Sequence, residues 1–170
     1  MSYPEFVRSR FKSGEKIAEE MNHNKLAILL GCIEEVVNEA KWLDVAKKEA
    51  IYNKRMGMVF YPEDKLKKLK KLKPTANQCE LLHAAIGIAG EAGELLDAVR
   101  KHVFDGQPLD EDNVIEELGD LCFYIEAACQ AIKMKRADIE ELNVAKLCER
   151  YKDGYSDQQA QDRADKAGAE

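Results

Sequence analysis

Leu81-Leu82-His83-Ala84-Ala85-Ile86-Gly87-Ile88-Ala89-Gly90-Glu91-Ala92-Gly93-Glu94-Leu95 is the stretch from which the fold is read. Its large apolar residues recur at helical spacing: Leu81, Ile88 and Leu95, continued by Leu96 and Val99. A helix turns about 100° per residue, so these residues form one arc and predict a core face. Glu91 and Glu94 are three apart and therefore neighbours on the helix surface. The stripe they share is otherwise small: Ala84, Gly87, Gly90 and Ala98. Glycine inside a helix costs about 1 kcal/mol relative to alanine. Gly87, Gly90 and Gly93 therefore predict the close approach of another helix or a ligand.

A second stretch repeats the arrangement. In Glu116-Glu117-Leu118-Gly119-Asp120-Leu121-Cys122-Phe123-Tyr124, Glu117 and Asp120 are again three apart. Val114, Leu118, Leu121, Ile125 and Ile132 form the apolar arc, while Glu117, Asp120 and Tyr124 lie beside Ala127, Ala128 and Ala131. Asp105-Gly106-Gln107-Pro108 makes a turn between the two helices. Two helices joined by a short turn pack antiparallel. At ~1.5 Å of rise per residue, counting from that turn brings the two acidic pairs within about one helical turn of each other. Four clustered carboxylates repel one another unless a cation lies between them. Hard oxygen ligands in that number suit Mg²⁺, which commonly also holds substrate phosphates. The residues thus point to a metal-dependent enzyme acting on a phosphate compound.

The rest of the chain fits an all-α protein. Pro4, Pro62, Pro74 and Pro108 all fall at plausible element boundaries, and the long periodic segments are rich in Ala, Leu, Glu and Lys without strand-like alternation. Helices are expected at about 15–30 and 32–55, with a break at Gly31, then from about 76 to 103, to about 134 after an N-cap at Asp110, and over about 137–152. A Lys-rich helix or linker is expected at 63–73. This gives an N-terminal helical segment with its linker over 1–75, catalytic helices over 76–155, and a tail over 156–170 whose lack of large apolar residues predicts disorder.

Composition narrows the class further. At 170 residues the chain is long enough for a real core, and 45% hydrophobic with 34% charged residues fits a helical protein with a heavily charged surface. A formal net charge of −6 argues against a nucleic-acid binder. No stretch reaches the ~20 apolar residues that span a bilayer, and Met1-Ser2-Tyr3-Pro4-Glu5 opens no signal peptide. The five cysteines show no C-x-x-C spacing, and Cys122 and Cys129, on one side of a helix, read as small buried hydrophobes of a reduced, cytoplasmic protein.

The two acidic stretches closely resemble the MazG-like nucleotide pyrophosphohydrolases of the compact phage and bacterial type. That signature is E-x-x-E, a spacer, then E-x-x-D; here the spacer Leu95 to Glu116 is 22 residues. Asn143-Val144-Ala145-Lys146-Leu147-Cys148-Glu149-Arg150-Tyr151 is similar to the N-x-x-K-L-x-x-R-Y segment of that family. The resemblance covers about 76–156, nearly half the chain. It implies a helical bundle of the all-α NTP pyrophosphatase type, assembled as a homodimer or homotetramer. It implies Mg²⁺, with Mn²⁺ as a substitute, held by Glu91, Glu94, Glu117 and Asp120 as the catalytic set. It implies hydrolysis of a nucleoside triphosphate to monophosphate and pyrophosphate in a bacterial or phage-infected cytoplasm, with a deoxypurine nucleotide as the substrate suggested by analogy. Tyr124, Asn143, Lys146 and Arg150 match positions that contact nucleotide or phosphate in relatives.

Two rival readings stand beside this one. Glu20-x-x-His23 and Glu80-x-x-His83 have the spacing of di-iron helix bundles. Yet Glu80 and His83 precede Glu91 and Glu94 by 11 residues, or ~16 Å along one helix axis, too far for a shared centre. His83 is therefore expected at a core edge or in a pocket. The other rival is a non-catalytic helical interaction protein on the same scaffold, against which the complete set of four carboxylates counts.

Overall fold

A computed structural model describes residues 3–10, 22–52, 74–152 and 154–162, with the single positions 13, 17, 20 and 54. Among them the chain forms six helices and no strand: α1 Tyr3–Arg10, α2 His23–Ala50, α3 Ala76–Phe104, α4 Glu111–Ala131, α5 Arg136–Arg150 and α6 Asp157–Asp162. The all-α expectation is met. The Lys-rich segment 63–73, most of 11–21 and residues 163–170 lie outside the described residues. Asp157–Asp162 forms a short helix within the stretch whose composition predicts a disordered tail. No described helix is long and apolar enough to cross a membrane.

Local chemistry sets the helix ends. Thr75 accepts a hydrogen bond from the Gln78 amide, and the Gln78 side chain accepts one from the Thr75 amide, so a capping box starts α3 after Pro74. Asp110 caps α4 through the Asn113 amide at 3.1 Å, as the sequence predicts. Gly106, at φ 66°, supplies the left-handed residue that turns the chain between α3 and α4. Past α4, Lys133 adopts φ 58°, which ends the helical path.

One expectation fails at Gly31. The helix runs unbroken through it as α2, 28 residues long. A single interior glycine weakens a helix by about 1 kcal/mol but does not end one of this length.

The chain divides into two compact units, Leu26–Lys133 and Met1–Lys25 with Met134–Glu170. In the second of these, α1 packs on α5, and Phe6 and Tyr151 are buried. In the first, α3 and α4 form the expected antiparallel hairpin, and α2 lies against α3. The core of this unit differs from the expected one. α3 buries Ala84, Gly87, Gly90, Glu91, Gly93, Asp97 and Ala98, the small and acidic stripe. Leu81 and Val99, Leu118 of α4 and Ile132 just after it remain exposed. Small side chains let helix backbones approach, so that stripe becomes the contact surface, while Ile88, Leu95, Leu96, Val114, Leu121 and Ile125 of the apolar arcs are half-buried. Cys129 is buried as expected, but Cys122, expected to be buried as well, is exposed, and all five cysteines are free thiols.

Candidate active site

Gly87 and Gly93 explain how three helices converge. A Cβ added at Gly87 would overlap the Tyr124 ring of α4, and one at Gly93 would overlap the Ala40 side chain of α2. The absence of side chains at these positions seats α4 and α2 against α3. Gly90, between them, faces Lys47 of α2.

This packing brings the acidic pairs level. Glu91, Glu117 and Asp120 each offer a carboxylate oxygen within 4.8 Å of the others. Glu91 and Glu117 are buried, whereas Asp120 is exposed. Glu94 stands outside this trio, on the exposed side, but borders one pocket with Glu117. Burial, then the charge of Glu91 and of Asp44, raises the Glu94 pKa above the usual glutamate value. Burial, followed by Glu94, Glu91, Glu116 and Asp120, pushes Glu117 up to about 7. Crowded carboxylates resist ionising together, and a cation among them relieves that repulsion. The donor set is all oxygen, which fits a hard divalent ion such as Mg²⁺.

α2 brings a second layer that the sequence did not disclose. Lys47 is buried, with its Nζ 3.4 Å from Glu91 Oε1, 3.2 Å from Asp44 Oδ1 and 5.3 Å from the Tyr124 ring centroid. Burial opposes its charge, but Asp44, Tyr124 and Glu91 outweigh burial and lift its pKa. Asp44, also paired with Lys48, is held below its usual value despite burial. Two turns away, Asp97 receives Lys41, Arg100 and Lys101. Asp97 was legible in principle: Glu91, Glu94 and Asp97 continue one stripe at spacing three. Lys47 had no such signal, since α2 carries no motif.

Tyr124, expected at the site, lies beside it. Its hydroxyl is 3.5 Å from that of Tyr52, whose own hydroxyl is 2.8 Å from His83 Nε2. The Tyr52 contact, and then burial, pushes Tyr124 up to about 12, so it stays a neutral phenol. His83 borders a pocket of about 320 Å³ with Phe123, Tyr124 and Gln130. That agrees with its expected pocket role. Among the described residues no histidine joins the acidic trio, and the His23 side chain lies outside them. Asn143, Lys146 and Arg150 all lie on α5, in the other unit, spaced to share one helix face. Lys146 is exposed, and the Arg150 guanidinium lies 5.8 Å from the Tyr151 ring centroid.

No curated protein and no solved structure matches the chain. Residues 81–155, spanning both acidic pairs and α5, match the model of the MazG nucleotide pyrophosphohydrolase domain. The chain is therefore MazG-like, and 81–155 is the part that carries the likeness.

Proposed function

We propose that the chain hydrolyses a nucleoside triphosphate to the monophosphate and pyrophosphate, with Mg²⁺ held by Glu91, Glu94, Glu117 and Asp120. The observation that carries this is the convergence of Glu91, Glu117 and Asp120 from two helices, where burial and then the neighbouring carboxylates push Glu117 up to about 7. Lys47 offsets part of that charge at Glu91, and a cation among the three carboxylates would relieve the rest. The MazG match supplies the substrate class, a nucleotide.

In the reaction, a water adds to the α-phosphorus, the bond to the bridging oxygen breaks, and pyrophosphate leaves with that oxygen. Bound Mg²⁺ would supply charge neutralisation and a water of lowered pKa. The four carboxylates fix the geometry of attack. Tyr124, brought close by Gly87, offers a ring and a neutral hydroxyl to the nucleoside. The family likeness, which extends over α5, supports Asn143, Lys146 and Arg150 as donors to phosphate oxygens. The working form is a homodimer or homotetramer in the cytoplasm, where triphosphates are available. Mn²⁺ is expected to replace Mg²⁺, and a deoxypurine triphosphate is the first substrate to try.

The test is a screen of the common ribo- and deoxyribonucleoside triphosphates with Mg²⁺ and identification of products. Monophosphate and pyrophosphate in equal amounts are expected from at least one substrate, and near-complete loss of turnover in Glu91→Gln, Glu117→Gln and Asp120→Asn. Diphosphate with free phosphate would mean attack at the terminal phosphorus and would overturn the assignment.

A further inference from the structure

The acidic cluster has a basic neighbour on the same unit. One turn beyond Glu94 on α3, the buried Asp97 receives three cations. Lys41 of α2 reaches it at 3.4 Å, and Arg100 and Lys101 of α3 at 3.1 Å each. Arg100 is fixed twice, because it also reaches Asp105 at 3.0 Å. The lysines differ from it: their side chains stay 60% and 47% exposed while pointing at one carboxylate from two helices. An ammonium carries three donor hydrogens, so a single carboxylate contact leaves each lysine able to donate further.

Those two ammoniums border a pocket of about 290 Å³ whose other walls include Glu94, Glu117 and Asn113. Carboxylates and ammoniums thus share one cavity without Lys41 or Lys101 pairing with Glu94 or Glu117. A metal-bound polyphosphate needs that pattern: acids for the cation, and cations for the phosphate oxygens beyond it. In the opposite direction along α3, the pocket bordered by Glu80, His83, Phe123, Tyr124 and Gln130 has aromatic walls and, among the described residues, no lysine or arginine. It suits a planar, uncharged ring and does not suit a phosphate chain.

We infer that Lys41 and Lys101 hold the departing pyrophosphate, so that the substrate lies along α3 with its terminal phosphates beside Asp97 and its base toward His83 and Tyr124. This assignment presupposes the proposed hydrolysis and adds its direction. Asp97 is the positioning residue: it gathers the two ammoniums and touches no substrate itself.

The test is calorimetric titration of inorganic pyrophosphate with Mg²⁺, and separately of a nucleoside monophosphate, into the full chain. In Lys41→Met/Lys101→Met the affinity for pyrophosphate is expected to fall about tenfold or more, the loss of a charge-assisted hydrogen bond or two. Monophosphate affinity stays within about twofold, and KM for the triphosphate rises more than kcat falls. Lys41→Arg/Lys101→Arg retains most of the pyrophosphate affinity. If the double methionine variant does not fold, the single variants are read instead, each with about a threefold loss expected. Unchanged pyrophosphate affinity in folded variants, or equal loss of pyrophosphate and monophosphate, overturns the assignment. If the wild type hydrolyses triphosphate and yet the lysines leave pyrophosphate binding unmoved, only the direction falls. If the wild type neither hydrolyses triphosphate nor binds pyrophosphate, the hydrolase reading falls with it.

Discussion

Lys47 Nζ lies 3.4 Å from Glu91 Oε1, and both side chains are buried. The ammonium therefore occupies the flank of the same carboxylate that the proposed metal would use. It also pairs with Asp44 at 3.2 Å and faces the Tyr124 ring, so it is held from three sides. In the metal-free protein Lys47 is the cation that makes a buried Glu91 tolerable. Lys47→Met should then lower metal-free stability by about 1–3 kcal/mol, the cost of an unsatisfied buried polar group. Added Mg²⁺ should recover most of that loss and bind more tightly than in the wild type, because nothing competes for Glu91. Denaturant melts with and without Mg²⁺, beside a calorimetric Mg²⁺ titration, check this. Equal Mg²⁺ affinity in both proteins would show that Lys47 does not compete.

The raised pKa of Glu117 gives a pH signature. Its folded value of about 7 lies above the ordinary 4.5, so between those values the folded state holds a proton that the unfolded state has released. Folding stability from this group is greatest at low pH and is lost as pH rises through about 7. Glu94, shifted the same way, adds to the trend. Asp44 and Asp97 are shifted downward, so their contribution is present above the ordinary 3.8 and fades only as pH falls below it. Lys47, shifted upward, loses its contribution only at alkaline pH. With chelator present, the melting temperature should therefore fall between about pH 5 and about pH 8. Glu117→Gln should flatten that slope, and Mg²⁺ should do the same while releasing protons. A slope unchanged in Glu117→Gln would assign the effect elsewhere.

The sequence carried the hairpin and its register, because spacing three on each helix and one short turn leave little freedom. Glu91 meets Asp120 for that reason. It did not carry the partner of Glu91, since Lys47 is 44 residues away on a helix without a motif. The core departs from the apolar periodicity for a related reason. Amphipathic arcs such as Leu81 to Val99 mark what must be covered, not what covers it. The stripe of small residues decided the packing within the chain and left Leu81 and Val99 outward, with Ile88, Leu95 and Leu96 half-buried. Gly31 was over-read: a glycine predicts a break only where another force bends the chain, and nothing lies within 4 Å of a Cβ built there.

Two glycines on neighbouring helices should therefore respond oppositely to alanine. At Gly31 the helix is open to solvent, so Gly31→Ala should stabilise by about 0.5–1 kcal/mol through backbone entropy and helix propensity. At Gly87 the added methyl meets the Tyr124 ring, which Tyr52 and His83 also contact. Gly87→Ala should destabilise by about 1–3 kcal/mol, the usual cost of overpacking. It should also lower turnover, because Tyr124 must move away from the acidic trio. Melts of both variants separate steric from intrinsic effects. Gains in both would mean that the ring yields freely and that Gly87 has no packing role.

The exposed apolar side chains make a last demand. Ile115 and Phe123 of α4 are each 67% exposed, and Leu82, Leu118 and Val103 stand open on the same hairpin. Trp42, Val36 and Leu29 of α2 add more apolar surface. Isolated exposed apolar side chains are common, but this many on three adjoining helices exceed what a small monomer tolerates. A second copy is the economical cover, since a closed two-fold pairing buries the same patch on both partners at once. Light scattering at micromolar concentration should give a dimeric or tetrameric mass. Ile115→Lys should shift it toward the monomer, because an ammonium cannot be buried against its equivalent without a partner. Leaving the acidic trio and the aromatic pocket untouched, this substitution also reports whether assembly is needed for turnover. A monomeric wild type with full activity would remove the oligomer from the account while leaving Glu91, Glu117 and Asp120 where they are.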